Sequence, residues 1–249
     1  MELNRRDLLV GISSLSAGLI LSGCGSANRS SSVETQSSSK QNEEAKGGEV
    51  TATEDLMREH GVLRRALLVY SEVAVKLRSN PSAVAPDGLQ KTAQLFRAFG
   101  EEYHEKKLEE AYIFPAVKSA GGEAASYPDT LVAQHQRGRE ITDYILSVTR
   151  GAKLNANNAE PLARALESLV RMYRAHAARE DTIIFPAWKQ ALTAKQLDEM
   201  NDKFEEIERQ QFGEDGFEDA VKQIADIENK LGLADLTQFT VPPIAGERD

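Results

Sequence analysis

The chain has 249 residues, of which 41% are hydrophobic and 28% charged, a soluble globular mix with enough apolar material for an ordinary core. A net charge of -9 argues against nucleic-acid binding, which needs a basic face, and a single cysteine rules out an intramolecular disulfide framework. The four histidines are no enrichment, so any signal they carry lies in their positions.

The chain opens with an export pattern. Asn4-Arg5-Arg6-Asp7-Leu8-Leu9 leads into an apolar run from Leu8 to Leu21 that is too short to span a bilayer comfortably. The paired arginines resemble a twin-arginine signal, with Leu8 and Val10 at positions where that motif often has Phe and Lys. Leu21-Ser22-Gly23-Cys24 resembles the lipobox of bacterial lipoproteins. That resemblance implies cleavage before Cys24, acylation of its thiol, and an exported protein anchored to the outer side of the cytoplasmic membrane or in the periplasm. Residues 1–24 are thus expected to be a signal. Residues 25–50, rich in Ser, Asn, Gln and Glu, are expected to be a flexible polar tether, because they bury too little to offset ordering entropy.

Four long helical patterns follow in residues 51–192. The first spans about Thr53 to Leu77, with Thr53 as N-cap and Leu56, Leu63, Leu67, Tyr70 and Ala74 at helical spacing. The second runs from near Asp87 to the Gly121-Gly122 break, the third from Tyr127 to Val148, and the fourth from Asn158 to Ala191. Short polar connections suit antiparallel neighbours, so the expected fold is all-α, an up-down four-helix bundle. Residues 193–249 add two shorter amphipathic helices, about Ala194 to Gln211 and Phe217 to Lys230, expected to brace the bundle.

The bundle sequence repeats itself. Glu59-His60 on the first helix and Gln134-His135 on the third are each followed by an arginine four residues after the histidine, Arg64 and Arg139. The second helix carries His104, Glu109 and Ile113-Phe114-Pro115-Ala116; the fourth carries His176, Glu180 and Ile184-Phe185-Pro186-Ala187. One histidine per helix and matching marks in the two halves imply a pseudo-twofold arrangement. His176 and Glu180 lie one turn apart on one face. Imidazole nitrogens with carboxylate oxygens suit iron, manganese or zinc. Four histidines converging at mid-bundle, with the two glutamates bridging, predict two ions.

Together these residues resemble the hemerythrin-like cation-binding domains, over about Asp55 to Lys189. The resemblance implies two iron ions held by His60, His104, Glu109, His135, His176 and Glu180, and a site that binds dioxygen or a related small molecule. The alternative is an enzyme consuming dioxygen, peroxide or nitric oxide. Two departures stand out. His104 and Glu109 are five apart, which on an ideal helix turns them about 140° from each other; a π-bulge would restore convergence. Glu110 is the alternative to Glu109, which aligns with Glu180 when the Phe-Pro pairs are superposed. The family's oxygen carriers have a fifth histidine where this chain has Arg139, which cannot ligate as a guanidinium; the neighbouring Glu140 is a possible substitute. Arg64 and Arg139 are expected to partner carboxylates or reach solvent. Tyr103, Tyr112 and Tyr173 are expected to pack the core, and Glu59, Glu101 and Glu102 to be solvated or salt-bridged.

Overall fold

A computed structural model describes residues 50–243, apart from Ala152, Asn155 and Glu214. The signal, the lipobox Cys24 and the tether lie outside the described residues. Among the described residues the protein is helical, with no strand. No described helix is long and apolar enough to cross a membrane.

Helix α1 covers Ala52–Ser79. Its cap is Thr51 rather than Thr53: the Glu54 N–H donates to Thr51 Oγ1 while the Glu54 carboxylate accepts from the Thr51 N–H. Thr53 is instead buried inside the first turn. The second rod is continuous from Pro86 to Ala120: α2 (Pro86–Leu95), a π-helical stretch (Phe96–Ile113), then α3 (Phe114–Ala120). Gly121 and Gly122 both take φ 76°, a backbone open to glycine, and end it. Helix α4 is Pro128–Val148. The fourth rod joins α5 (Ala156–Arg179), a second π stretch (Glu180–Ile184) and α6 (Phe185–Ala191). Helices α7 (Ala194–Phe212) and α8 (Gly216–Leu231) follow.

Helix α1 packs along α5, α4 packs on α5 and on the first π stretch, and that stretch also touches α1. The shared core includes Tyr70, Phe96, Phe99, Tyr103, Leu166, Ile184 and Phe185, all essentially inaccessible to solvent. Burying each such side chain is worth about 1.5–3 kcal/mol, and the Phe96 ring meets Tyr173 edge-on at 5.0 Å. Helices α7 and α8 close over the outside of α1, α2 and the first π stretch. Trp188 stacks on Phe204 at 5.7 Å, and Arg65 forms a two-pronged ion pair with Glu228.

Candidate metal centre

The wide turns position the first pair of donors. In a π-helix the repeat is i to i+5, so residues five apart come onto one face. His104 Nε2 and Glu109 Oε1 accordingly lie 3.2 Å apart inside the Phe96–Ile113 stretch. The second stretch begins at Glu180, whose α-helical spacing from His176 brings Oε1 to 2.9 Å from His176 Nε2. In both stretches the glutamate carbonyl accepts from a phenylalanine N–H five residues on, Phe114 to Glu109 and Phe185 to Glu180. A proline follows each of those phenylalanines. A proline ring clashes with the carbonyl four residues back, and a widened turn relieves that clash. The repeated Phe-Pro was therefore a signal for the second π stretch that spacing alone did not give.

All six predicted donors come together at the centre of the fold, each with at most 3% of its surface exposed. The rings pair off, His60 with His104 and His135 with His176, each at 4.7 Å between centroids. The two carboxylates straddle these pairs. Glu109 presents Oε1 to His104 and Oε2 to His135 at 3.4 Å. Glu180 presents Oε2 to His60 at 3.5 Å and Oε1 to His176 and, at 4.0 Å, to His135. His104 Nε2 and all four carboxylate oxygens are buried without a hydrogen-bond partner. Such groups are costly to bury unless something answers them. A cation among them would do so, and imidazole nitrogen with carboxylate oxygen is a donor set that divalent iron, manganese or zinc accepts. The residues present therefore fit a metal.

Each ring turns its other nitrogen to an oxygen acceptor. His60 Nδ1 meets Asp181 at 2.7 Å, His104 Nδ1 meets Glu59 at 2.6 Å, His135 Nδ1 meets Glu110 at 2.9 Å, and His176 Nδ1 meets the Gln134 side-chain oxygen at 2.9 Å. Each Nδ1 thus carries its proton outward and Nε2 faces the centre. Of the two alternatives for Glu59 the ion pair holds: it is buried against His104, and it also accepts from the Tyr103 hydroxyl. Glu101 is likewise buried, against Arg97 and Thr142, while Glu102 pairs with Lys106 at the surface as expected. Glu110 belongs to the outer ring of acceptors and Glu109 to the centre. Arg64 pairs with Asp181, and Arg139 with Glu105 and Glu110, so both arginines are carboxylate partners. Glu140 sits at the surface against Arg137, away from the histidines. Sequence reasoning missed Asp181 and Gln134. The signal was their register: one follows a central glutamate and the other precedes a histidine.

A small cavity opens on the donors, walled also by Leu63, Leu67, Phe96 and Ala177 and by three further polar groups, Arg64, Glu105 and Tyr173. The Tyr173 hydroxyl donates to Glu105 at 2.7 Å. Burial raises the Glu105 carboxyl to about 8, against the pull of Tyr173 and Arg139. Burial lowers His135 to about 4. Burial and the facing Glu180 push Glu109 well up. Burial would raise Glu180 too, but the histidines around it outweigh that and hold it at about 2. Two carboxylates this close and this dry cannot share one site as anions without positive charge between them.

Comparison with known proteins follows the same lines. The Hemerythrin HHE cation binding domain family matches residues 51–188. Uncharacterized proteins of Mycobacterium bovis and of two Mycobacterium tuberculosis strains are each 44% identical over 192 residues, covering 77% of this chain and 74% of the relative. No solved structure matches significantly.

Proposed function

The chain belongs to the hemerythrin HHE cation-binding domain family, and from that premise we propose that it holds two iron ions and binds dioxygen or a related small molecule beside them. The observation that carries this is the pair of carboxylates, each presenting one oxygen to each histidine pair. His60 and His104 would hold one ion, His135 and His176 the other, and Glu109 and Glu180 would bridge them. The four helical rods would form an antiparallel up-down bundle around this centre, with α7 and α8 as its brace. Iron held there would supply coordination positions and electrons for a small ligand. The protein's own part is to orient the six donors, keep the imidazole protons on the outer side, and exclude bulk water with Leu63, Leu67 and Phe96.

A second reading is consumption of dioxygen, peroxide or nitric oxide. Glu105 and Tyr173 favour it, because a hydrogen-bonding pair in the cavity wall can exchange protons with a ligand. The experiment is an absorption spectrum of anaerobically reduced, iron-loaded protein exposed to air. A new visible band that disappears on deoxygenation and returns on reoxygenation means binding; a permanent oxidised spectrum means consumption. No iron-dependent change at all contradicts both.

The domain would work outside the cytoplasm, tethered to the membrane through acylated Cys24. The support is the Leu21-Ser22-Gly23-Cys24 pattern after the apolar run. Cys24→Ser is expected to move the protein from membrane to soluble fractions; identical fractionation would contradict the anchor.

A further inference from the structure

The two halves of the site are built on one plan, and their acceptors differ in charge at one place. In each half a histidine on α1 or α4 gives its Nδ1 proton to the residue just after a central glutamate: His60 to Asp181 and His135 to Glu110. An arginine one turn beyond each of those histidines, Arg64 or Arg139, holds that same carboxylate. The other histidine of each half gives its Nδ1 proton to the residue just before the first histidine. For His104 that acceptor is Glu59, a carboxylate at 2.6 Å; for His176 it is Gln134, an amide at 2.9 Å. Glu59 is 1% exposed, so solvent screens its charge little, whereas Gln134 is only partly buried. Glu105 comes near the second half but stays 3.9 Å from His135 Nδ1, with Tyr173 and Arg139 as its donors, so it accepts from no ring.

A carboxylate that accepts an imidazole N–H makes the opposite nitrogen a stronger donor to a metal and favours the more highly charged ion there. An amide oxygen does this far less. We propose that the two metal positions are inequivalent: the His60–His104 position holds its ion more tightly, and Glu59 against Gln134 sets the difference. Both are positioning residues acting through their histidines. The inference rests on the two-metal reading of the site.

The test is Mössbauer spectroscopy of full-length protein loaded with isotopically enriched ferrous iron, together with the rate at which a chelator strips that iron. Two distinct iron signals are expected in the wild type, and two phases of loss, the slower from the His60–His104 position. Glu59→Gln should merge the signals and speed the slow phase by about tenfold, the lower end of what outer-partner changes cost in affinity. Gln134→Glu should also merge them, but by slowing the fast phase. Substitutions that merely damaged packing would speed both phases, so opposite effects from the two variants separate charge from structure. One iron signal in the wild type, two signals unchanged in both variants, or faster loss in both overturns the inference while leaving two bound irons intact. Fewer than two irons in the wild type overturns the two-metal reading and this inference with it.

Discussion

Glu105 is the carboxyl in the cavity wall that is not among the six central donors, and its burial sets a pH dependence that metal-free protein should display. With its folded value near 8, against an ordinary 4.5, the folded protein keeps a proton that the unfolded chain has released across that window. Raising the pH between those values therefore favours unfolding, and stability falls as pH rises. Denaturant melts of the metal-free protein at several pH values are expected to show a shallower decline in Glu105→Gln than in wild type. Equal slopes would mean that Tyr173 and Arg139 keep the carboxyl ionised. At this scale the central donors were legible in the sequence, because all four histidines fall on repeated marks and a core tolerates carboxylates only when they are answered. Glu59, Asp181 and Gln134 were not: each lies next to a central donor in the sequence, but a polar residue there looks like any solvated helix position until the neighbouring rod is in place.

On helix α4, Gly138 leaves room for the Tyr173 side chain of α5. A Cβ there would lie 2.1 Å from the Tyr173 hydroxyl oxygen and 2.8 Å from the carbon bearing it. Gly138→Ala gains helix propensity worth about 0.5–1 kcal/mol but must displace a buried ring, and overpacking of this kind costs about 1–3 kcal/mol, so the clash wins. Net destabilisation is expected in denaturant melts, along with loss of the Tyr173–Glu105 hydrogen bond. Adding Tyr173→Phe, which removes the closest atom, should recover part of that loss; no recovery would mean the ring is not the obstacle. The helices themselves were legible from periodicity and from Gly, Pro and Thr punctuation. The five-residue step from His104 to Glu109 called for a π turn, yet not for its length, because the wide turns propagate from Phe96 to Ile113 without a sequence mark of their own. The Thr51 cap was read two residues late, since Thr53 offers the same side chain and only the reciprocal bond with Glu54 separates them.

Across the described residues, the helical rods surround a dry polar centre, and α7 and α8 cover the outside of α1, α2 and the first π stretch. The C-terminal stripes are Leu197, Met200, Phe204 and Ile207 on α7 and Phe217, Val221, Ile224 and Ile227 on α8; of these, Phe204, Ile207, Phe217, Ile224 and Ile227 are buried and Val221 is partly buried. Leu197 and Met200 are only partly so, because α7 seats its second half on the core and leaves its start near the surface. Hydrophobic spacing assigns a face to a helix but does not say how far along the helix a partner extends. The polar centre is a different matter, since its cost is tolerable only with cations in place. The most direct test of that claim is elemental analysis of the purified full-length protein beside a Glu109→Ala/Glu180→Ala double variant. Two irons per chain are expected in the wild type and neither in the variant, because without Glu109 and Glu180 each proposed ion would keep two histidines alone. A wild-type value of one or less, or an unchanged value in the double variant, would contradict the account.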